Sequence, residues 1–265
     1  MIIDFHTHCF NDTLAPKAMA NLSAVSLYPP HYDGTLGGLK AQMKKAGIDL
    51  SVMLNIATAP HQCPKVNDWA IEANAQKGIV AFGSLHPGYA RWREELERLK
   101  SAGIKGIKFH PDFQGFHVCD REAYKIYEAI AEKDMIMVFH CGHDLVKRER
   151  YMCEPKDFAR MSDDFSGAKI VGAHLGGQDM WEDVFEYIAP RKMYVDTSFG
   201  FRFFTPDRIS RFIELHGADN ILFGTDTPWQ SQAEEVDKMR LLITDPEIRE
   251  KIFHRNAERL LASVV

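Results

Sequence analysis

The sequence predicts an α/β protein built as a single (β/α)8 TIM barrel, and three observations support this. The chain has 265 residues, and such a barrel needs roughly 250. Eight short apolar runs alternate with amphipathic segments of helical length. The runs are continuously apolar, as in parallel strands that are covered on both faces. No composition shift marks a boundary, so we expect one domain over residues 1–265, with a doubly wound sheet as the lesser alternative.

The first predicted strand is the apolar run that leads into His6 and His8. Residues 9–34 follow, and their prolines and glycine predict an irregular segment. The segment is too long for an ordinary connection between a strand and a helix. We therefore expect a lid-like insertion, or a wall over a site. A helix is predicted at 35–47, ended by Gly47.

The remaining elements repeat regularly along the chain. Seven further strands are predicted at Leu50–Ile56, Ile79–Leu85, Ile104–Phe109, Met135–Phe139, Ile170–Ala173, Met193–Val195 and Ile221–Phe223. Amphipathic helices are predicted at Trp92–Lys100, Arg121–Lys133, Met180–Ile188 and Pro206–His216, with a closing helix at Pro246–Leu261.

Composition limits the classes of partner. The net charge of -5 gives no electrostatic reason to expect nucleic acid. No apolar run approaches the ~18 residues that span a bilayer, and the early first strand leaves no room for a signal peptide. The five scattered cysteines are typical of reduced thiols. We expect a cytoplasmic protein that binds a small molecule, with no nucleic-acid or membrane partner; homo-oligomerisation is left open.

Ligand-type side chains follow five of the predicted strands. His6 and His8 are two residues apart, so strand geometry projects them to one face, together with Asp4. Two imidazoles there form half of a divalent-metal site. The other strand ends carry Lys108 and His110, His140, His174, and Asp226.

Each of these residues also has an ordinary structural interpretation. A histidine after a strand can be a hydrogen-bonded core residue, Asp226 can cap a turn, and Lys108 can be a solvated rim residue. Such interpretations would have to apply at five strands, always at the carboxyl end, where barrels place their active sites. The coincidence favours a shared metal centre.

Several motifs together resemble a known family. They are Asp-Phe-His-Thr-His, Gly-Ile-Lys-Phe-His-Pro, Val-Phe-His-Cys-Gly, Gly-Ala-His-Leu-Gly-Gly, Phe-Gly-Thr-Asp-Thr-Pro-Trp and the closing Asn-Ala-Glu-Arg-Leu-Leu. The chain resembles the amidohydrolase superfamily, and within it the amidohydrolase 2 branch, which includes aminocarboxymuconate-semialdehyde decarboxylase and related metal-dependent hydrolases. The resemblance runs over almost the whole chain.

The resemblance implies that His6, His8, His140 and Asp226 hold one divalent ion, with zinc favoured. It also implies catalytic roles for Asp226, which would accept and return the proton of an activated water, and for His174, which would orient the hydroxide or polarise the substrate.

A two-metal alternative involves Lys108. In two-metal relatives a lysine at this position is carboxylated and bridges the ions, and His140 and His174 would then hold the second ion. One metal is favoured, with Lys108 then facing substrate or hydrogen-bonding within the pocket. His110 and Arg202 are further candidates for substrate contacts; Arg202 could equally be a surface arginine among buried phenylalanines.

Three functions remain open. The main expectation is a metal-dependent hydrolase that acts on an amide, lactone or ester of a small polar substrate. The alternative is a metal-dependent non-oxidative decarboxylase of an aromatic or unsaturated carboxylic acid. The known decarboxylases are longer, which favours hydrolysis for this compact chain. The third is a barrel that holds metal without catalysis.

Overall fold

Eight parallel strands form one sheet in the computed structural model, which describes residues 1–144 and 151–264. Each strand pairs with its neighbour in chain order. The strands are β1 (Ile3–Thr7), β2 (Leu50–Leu54), β3 (Ile79–Ser84), β4 (Gly106–Phe109), β5 (Ile136–Phe139), β6 (Lys169–Gly172), β7 (Tyr194–Asp196) and β8 (Ile221–Leu222). All eight predicted strands are present.

The first and last strands close the sheet into a barrel. Backbone N–H groups of Phe5 and His8 donate to the carbonyl oxygens of Phe223 and Thr227, at 2.7 and 2.8 Å. Asp226 N–H donates back to the carbonyl of His6 at 2.8 Å. The predicted TIM barrel is therefore confirmed.

Helices lie between the strands, as the predicted alternation requires. They are α1 (Ala15–Val25), α2 (Leu36–Ala46), α3 (Cys63–Asn74), α4 (Trp92–Ser101), α5 (Pro111–Gln114), α6 (Arg121–Glu132), α7 (Pro155–Asp164), α8 (Trp181–Asp183), α9 (Gly200–Phe203), α10 (Pro206–His216), α11 (Gln232–Leu242), α12 (Pro246–Glu250) and α13 (Asn256–Ala262). Turns of π-helix follow α8, at Val184–Ile188, and α12, at Lys251–Arg255. Among the described residues, no helix is both long enough and apolar enough to cross a bilayer.

Two apolar layers hold the barrel together. The inner layer joins strand residues such as Phe5, Phe82 and Val138 to Leu260 of α13. The outer layer packs the opposite faces of the strands against the helices. Lys105, just before β4, donates to the Val264 carbonyl at 2.6 Å, so the closing helix lies at the amino ends of the strands. The carboxyl ends are left for the site.

The segment 9–34 is more regular than predicted. It contains the helix α1. Pro16 is compatible with this helix because it lies in the first turn, where the missing N–H of proline costs no hydrogen bond. The segment is also fastened to the barrel: Tyr32 Oη donates to the His8 carbonyl, and His31 N–H donates to the Pro228 carbonyl at 2.8 Å. The expectation of an irregular stretch is wrong for Ala15–Val25.

Strand β1 departs from regular alternation. Its pairing with β2 shifts register between Asp4 and Thr7. Asp4 accepts hydrogen bonds from Thr225 Oγ1 and from Gln232 Nε2 of α11, at 2.6 and 2.7 Å. The prediction that Asp4 shares the face of His6 and His8 is wrong, because the register shift interrupts the alternation on which it depended.

Candidate metal centre and cavity

A cavity of ≈ 1020 Å³ opens at the carboxyl ends of the strands. Its walls include residues of α1 and α3, so part of the segment 9–34 does border the site. Seven of the eight predicted site residues line it: His6, His8, Lys108, His110, His140, His174 and Asp226. The eighth, Arg202, is not among the lining residues; it is exposed, and its guanidinium lies 4.5 Å from the centre of the Tyr28 ring.

Hydrogen bonds at the Nδ1 atoms of His6 and His8 determine which ring nitrogen carries the proton. His6 Nδ1 lies 2.8 Å from Asp196 Oδ2, and His8 Nδ1 lies 2.8 Å from the Leu54 carbonyl oxygen. Both oxygens are acceptors, so each Nδ1 carries the proton and donates it. In the neutral form of either ring, Nε2 is then unprotonated and can donate its lone pair.

These lone pairs converge with a carboxylate oxygen. The Nε2 atoms of His6 and His8 are 3.2 Å apart, and Asp226 Oδ1 lies 3.4 Å from the first and 3.0 Å from the second. Ligand atoms 2.0–2.1 Å from a tetrahedral zinc ion would be about 3.3–3.4 Å apart. Three electron-pair donors at such spacing fit a divalent cation.

Burial keeps the imidazoles in the form that ligates metals. It lowers the pKa of His6 and of His174 well below the ordinary value, and it lowers the pKa of His140 to about 3. Burial also raises the pKa of Asp226, against the opposing effect of its hydrogen bond with His8. The rings are therefore neutral at physiological pH.

The structure groups the remaining histidines differently from the set that the resemblance implies. Ligand atoms of His6, His174 and Asp226 lie within 4.8 Å of one another, and so do those of His110, His140 and Asp144. His140 Nε2 donates to the His143 carbonyl at 2.9 Å, while its Nδ1 lies 3.1 Å from His174 Nε2. In this arrangement His140 contacts His174 and is grouped with His110 and Asp144, not with His6 and Asp226.

Lys108 is a buried lysine that lines the cavity. Its side chain is 1% exposed, and its Nζ has no hydrogen-bond partner among residues 1–144 and 151–264. Burial lowers the pKa of this amine, while Asp196 and Asp226 act to raise it. The charge of Lys108 in turn lowers the pKa of His6 and His140. A bound anion would pair with this amine and favour its protonated form, so the site is suited to an anionic ligand.

His110 is held between two rings. It stacks on His140 with ring centres 4.0 Å apart and on Phe113 with ring centres 4.1 Å apart. Its Nε2 lies 3.9 Å from Asp144 Oδ1. This places His110 on the cavity wall, where a substrate contact was predicted.

Sequence reasoning missed two carboxylates, Asp144 and Asp196. Asp196 ends β7, so the same strand-end signal that revealed Asp226 could have found it; the predicted strand stopped at Val195 instead. Asp144 lies four residues after His140, beyond the strand end, and no spacing rule pointed to it.

Comparison with known proteins agrees with this fold. Among solved structures, the uncharacterized TIM-barrel protein Bb4693 from Bordetella bronchiseptica is 20% identical, with a TM-score of 0.80 over 99% of both chains. The 5-carboxyvanillate decarboxylase of Sphingomonas paucimobilis is 16% identical, with a TM-score of 0.75 over 98% of both chains. A 5-carboxyvanillate decarboxylase from Novosphingobium aromaticivorans, with bound manganese and 3-methoxy-4-hydroxy-5-nitrobenzoic acid, is 14% identical, with a TM-score of 0.77 over 99% of this chain and 97% of that one.

Identities this low establish the fold alone. No curated protein sequence matches the chain. The sequence profile of the amidohydrolase family, however, matches residues 3–262, which is nearly the whole chain. The chain therefore belongs to the amidohydrolase family, in its amidohydrolase 2 branch.

Proposed function

We propose that the protein is a metal-dependent, non-oxidative decarboxylase of an aromatic carboxylic acid of the hydroxybenzoate type. The observation that carries this proposal is Lys108, a buried lysine whose Nζ has no hydrogen-bond partner in the described chain and which lines the same cavity as His6, His8 and Asp226. A substrate carboxylate would pair with it, whereas hydrolysis of a neutral amide or lactone has no use for such a charge.

The comparisons support the same choice. Two of the similar structures are named as decarboxylases, and each alignment spans 97% or more of the decarboxylase chain. Chain length therefore gives no ground for preferring hydrolysis. The cavity walls include Phe113, Trp69 and Trp229, which would pack against an aromatic ring.

We assign the metal to His6, His8 and Asp226, with His140 as the fourth ligand implied by the resemblance. His140 would reach the ion after a change in its ring orientation, and His174, 3.1 Å from it, is the other candidate for that position. A single divalent ion is proposed. Zinc suits the nitrogen-rich set, and manganese is the ion in the Novosphingobium structure. When bound, the ion would supply a Lewis acid for the substrate oxygens.

The chain's own residues would then handle charge and protons. Lys108 would hold the carboxylate, and His110 would donate to a second substrate oxygen. The bond between the ring carbon and the carboxylate carbon breaks, its electron pair stays on the ring carbon, and carbon dioxide leaves. The ring carbon would take a proton from the Asp226 carboxyl group, which becomes a carboxylate. His174 would keep that carboxyl oriented.

Metal-dependent hydrolysis of an amide, lactone or ester is the second candidate. Both the family and the arrangement of His174 beside Asp226 are compatible with an activated water. It would leave Lys108 to bind an anionic group that does not react.

The test is an assay of the manganese- and zinc-loaded protein on hydroxybenzoates, lactones and amides, with detection of carbon dioxide. We expect carbon dioxide from a hydroxybenzoate. Lys108→Met should lower kcat/KM at least about 100-fold, since a buried charge pair contributes roughly 3 kcal/mol or more. Lys77→Met, at an exposed lysine, is the matched control and should retain full activity.

Other outcomes would decide against decarboxylation. Turnover of a lactone or amide, with no carbon dioxide from any acid, would establish the hydrolase. Full turnover by Asp226→Asn would remove the proton-transfer role of Asp226. A metal-loaded protein that converts none of these compounds would favour a barrel that holds metal without catalysis.

A further inference from the structure

We infer that Asp196 is a positioning residue that sets the ring tautomers of two histidines at once, His6 and His174, through its two carboxylate oxygens. The metal-facing nitrogen of His6 and the cavity-facing nitrogen of His174 would both be unprotonated because of this one side chain.

One carboxylate oxygen of Asp196 determines the tautomer of His6. Asp196 is the last residue of β7 and is fully buried. Its Oδ2 lies 2.8 Å from His6 Nδ1 and accepts the proton of that nitrogen. Because a neutral imidazole carries one N–H, this contact leaves His6 Nε2 bare, 3.2 Å from His8 Nε2.

The other oxygen controls His174 through Ser198. Asp196 Oδ1 accepts the backbone N–H groups of His174 and Ser198, both at 3.1 Å, and also the Ser198 hydroxyl. The hydroxyl has a single hydrogen, which it gives to the carboxylate. Its oxygen must then accept from His174 Nδ1, 2.8 Å away. His174 Nε2 is therefore the bare atom.

The unprotonated Nε2 of His174 lies next to a second unprotonated ring nitrogen, His140 Nδ1. His140 Nε2 donates to the His143 carbonyl, which leaves His140 Nδ1 unprotonated, 3.1 Å from His174 Nε2. Two lone pairs at this distance repel unless a cation or a shared proton lies between them. The Asp196 network thus directs lone pairs, and not N–H groups, toward the centre of the site.

The backbone around Asp196 is shaped for this contact. Gly224, which follows β8, lies between Asp196 and His6. A Cβ at Gly224 would be 3.0 Å from His6 Cβ and 3.1 Å from Asp196 Cβ, so any larger residue would push β7 and β1 apart. The absence of a side chain at Gly224 permits the short His6–Asp196 hydrogen bond.

Only a carboxylate can serve both histidines. In Asp196→Asn one oxygen becomes an NH2 group. If that group faces His6, it donates to Nδ1 and forces the proton onto Nε2, the metal-facing atom. If it faces Ser198 instead, it meets the two backbone N–H groups that Oδ1 now accepts. The isosteric substitution therefore separates the tautomer effect from a change of packing.

The experiment uses Asp196→Asn and Ser198→Ala in the full chain, with Asp134→Asn at an exposed position as control. Affinities for Mn²⁺ and Zn²⁺ are measured by competition with a chelator. We expect Asp196→Asn to bind both ions at least about 10-fold more weakly. Ser198→Ala removes the 2.8 Å contact with His174 Nδ1 and a longer contact of 3.2 Å with His6 Nδ1, but it leaves the His6–Asp196 hydrogen bond in place. This variant should bind both ions within about twofold of the parent if His140 is the fourth ligand.

Nitrogen NMR of ¹⁵N-histidine-labelled, zinc-loaded protein reads the tautomers directly. We expect His6 and His174 to carry their protons on Nδ1 in the parent, and His174 to lose that preference in Ser198→Ala. An Asp196→Asn protein with unchanged metal affinity and an unchanged His6 tautomer would overturn the inference. If Asp196→Asn does not fold, an unchanged His174 tautomer in Ser198→Ala would overturn it.

A turnover measurement adds a second arm, which rests on the proposed function. Ser198→Ala should lower kcat on the hydroxybenzoate substrate at least about 10-fold with little change in KM. The metal and tautomer measurements need no substrate, so a failed search for decarboxylation would leave them standing. Loss of the proposed function and loss of this inference are therefore distinguishable.

Discussion

Gln232 of α11 donates a 2.7 Å hydrogen bond to Asp4 of β1, although the two residues are 228 positions apart in the chain. Three more donors meet the same carboxylate: Thr225 Oγ1, Thr225 N–H and His6 N–H, at 2.6, 3.0 and 3.2 Å. Four donors around one buried side chain tie the start of the barrel to its last strand.

Replacing Asp4 by asparagine should therefore destabilise the fold. One of the two accepting oxygens becomes an NH2 group that faces donors, at a cost of about 2–3 kcal/mol in the free energy of unfolding. Urea denaturation of the metal-free protein measures this. Asp12→Asn, at an exposed position, is the control. Equal stability of the two variants would show that the network contributes little.

A substitution at Gly34 would test how the segment 9–34 packs against the barrel. Its φ is +77°, and a Cβ there would lie 2.5 Å from Met19 Cγ. Met19 of α1 packs with Phe199 and Trp229, so Gly34→Ala should displace α1 from the cavity wall. Gly103 has the same φ of +77° with nothing within 4 Å of its Cβ position.

The matched pair separates backbone strain from the clash. Gly103→Ala should cost about 1 kcal/mol and leave KM unchanged. Gly34→Ala should cost more and raise KM for the substrate identified in the assay. Thermal unfolding and steady-state kinetics measure the two effects. Identical behaviour of the variants would mean that α1 does not shape the bound state.

His216 predicts a pH dependence of stability. It is fully buried on α10, stacked on Phe212 with ring centres 5.2 Å apart, and burial lowers its pKa from 6.5 to about 4. In the unfolded chain His216 therefore binds a proton near pH 6.5, whereas in the folded chain it does so only near pH 4. The stabilisation from the neutral ring is present above pH 6.5 and is lost as the pH falls toward 4.

Between pH 7 and pH 5 this residue should account for a loss of about 2 kcal/mol in the free energy of unfolding. His216→Leu removes the titrating group, so its stability should fall by that much less over the same interval. Urea denaturation at the two pH values gives both slopes. Parallel slopes for parent and variant would contradict the assignment.

Metal content tests the role of Lys108. Elemental analysis after expression with manganese or zinc should give one ion per chain, and EDTA should lower the melting temperature as the ion leaves. Lys108→Met should keep the ratio of one. A ratio near two in the parent that falls in this variant would instead indicate a bridging, carboxylated lysine.

The sequence was sufficient for the barrel and for seven of the residues that line the cavity. Parallel strands present their carboxyl ends at one edge, so residues as distant as His6 and Asp226 could be brought together without knowing any helix orientation. The rule needs only the ends of strands, and continuous apolar runs mark those ends clearly. Asp196 escaped because its strand is three residues long, so its end was misplaced by one position.

Other features depend on contacts that no local pattern encodes. The side of β1 on which Asp4 lies depends on a register shift against β2. The position of Arg202 depends on Tyr28, a residue of the segment 9–34 whose path the sequence does not determine. Pro16 was interpreted as a breaker, although the first turn of a helix accepts proline.

Closure of the barrel between β1 and β8 has a consequence for the order in which the protein matures. His6 and His8 come from the first strand, and Asp226 comes from the residues after the last, so the three donors face one another only when this seam has formed. An ion bound to these three donors would stabilise the contact between β1 and β8. The apparent metal affinity would depend on the fraction of molecules in which the contact between β1 and β8 has formed. Removal of the metal would destabilise the protein first along this seam.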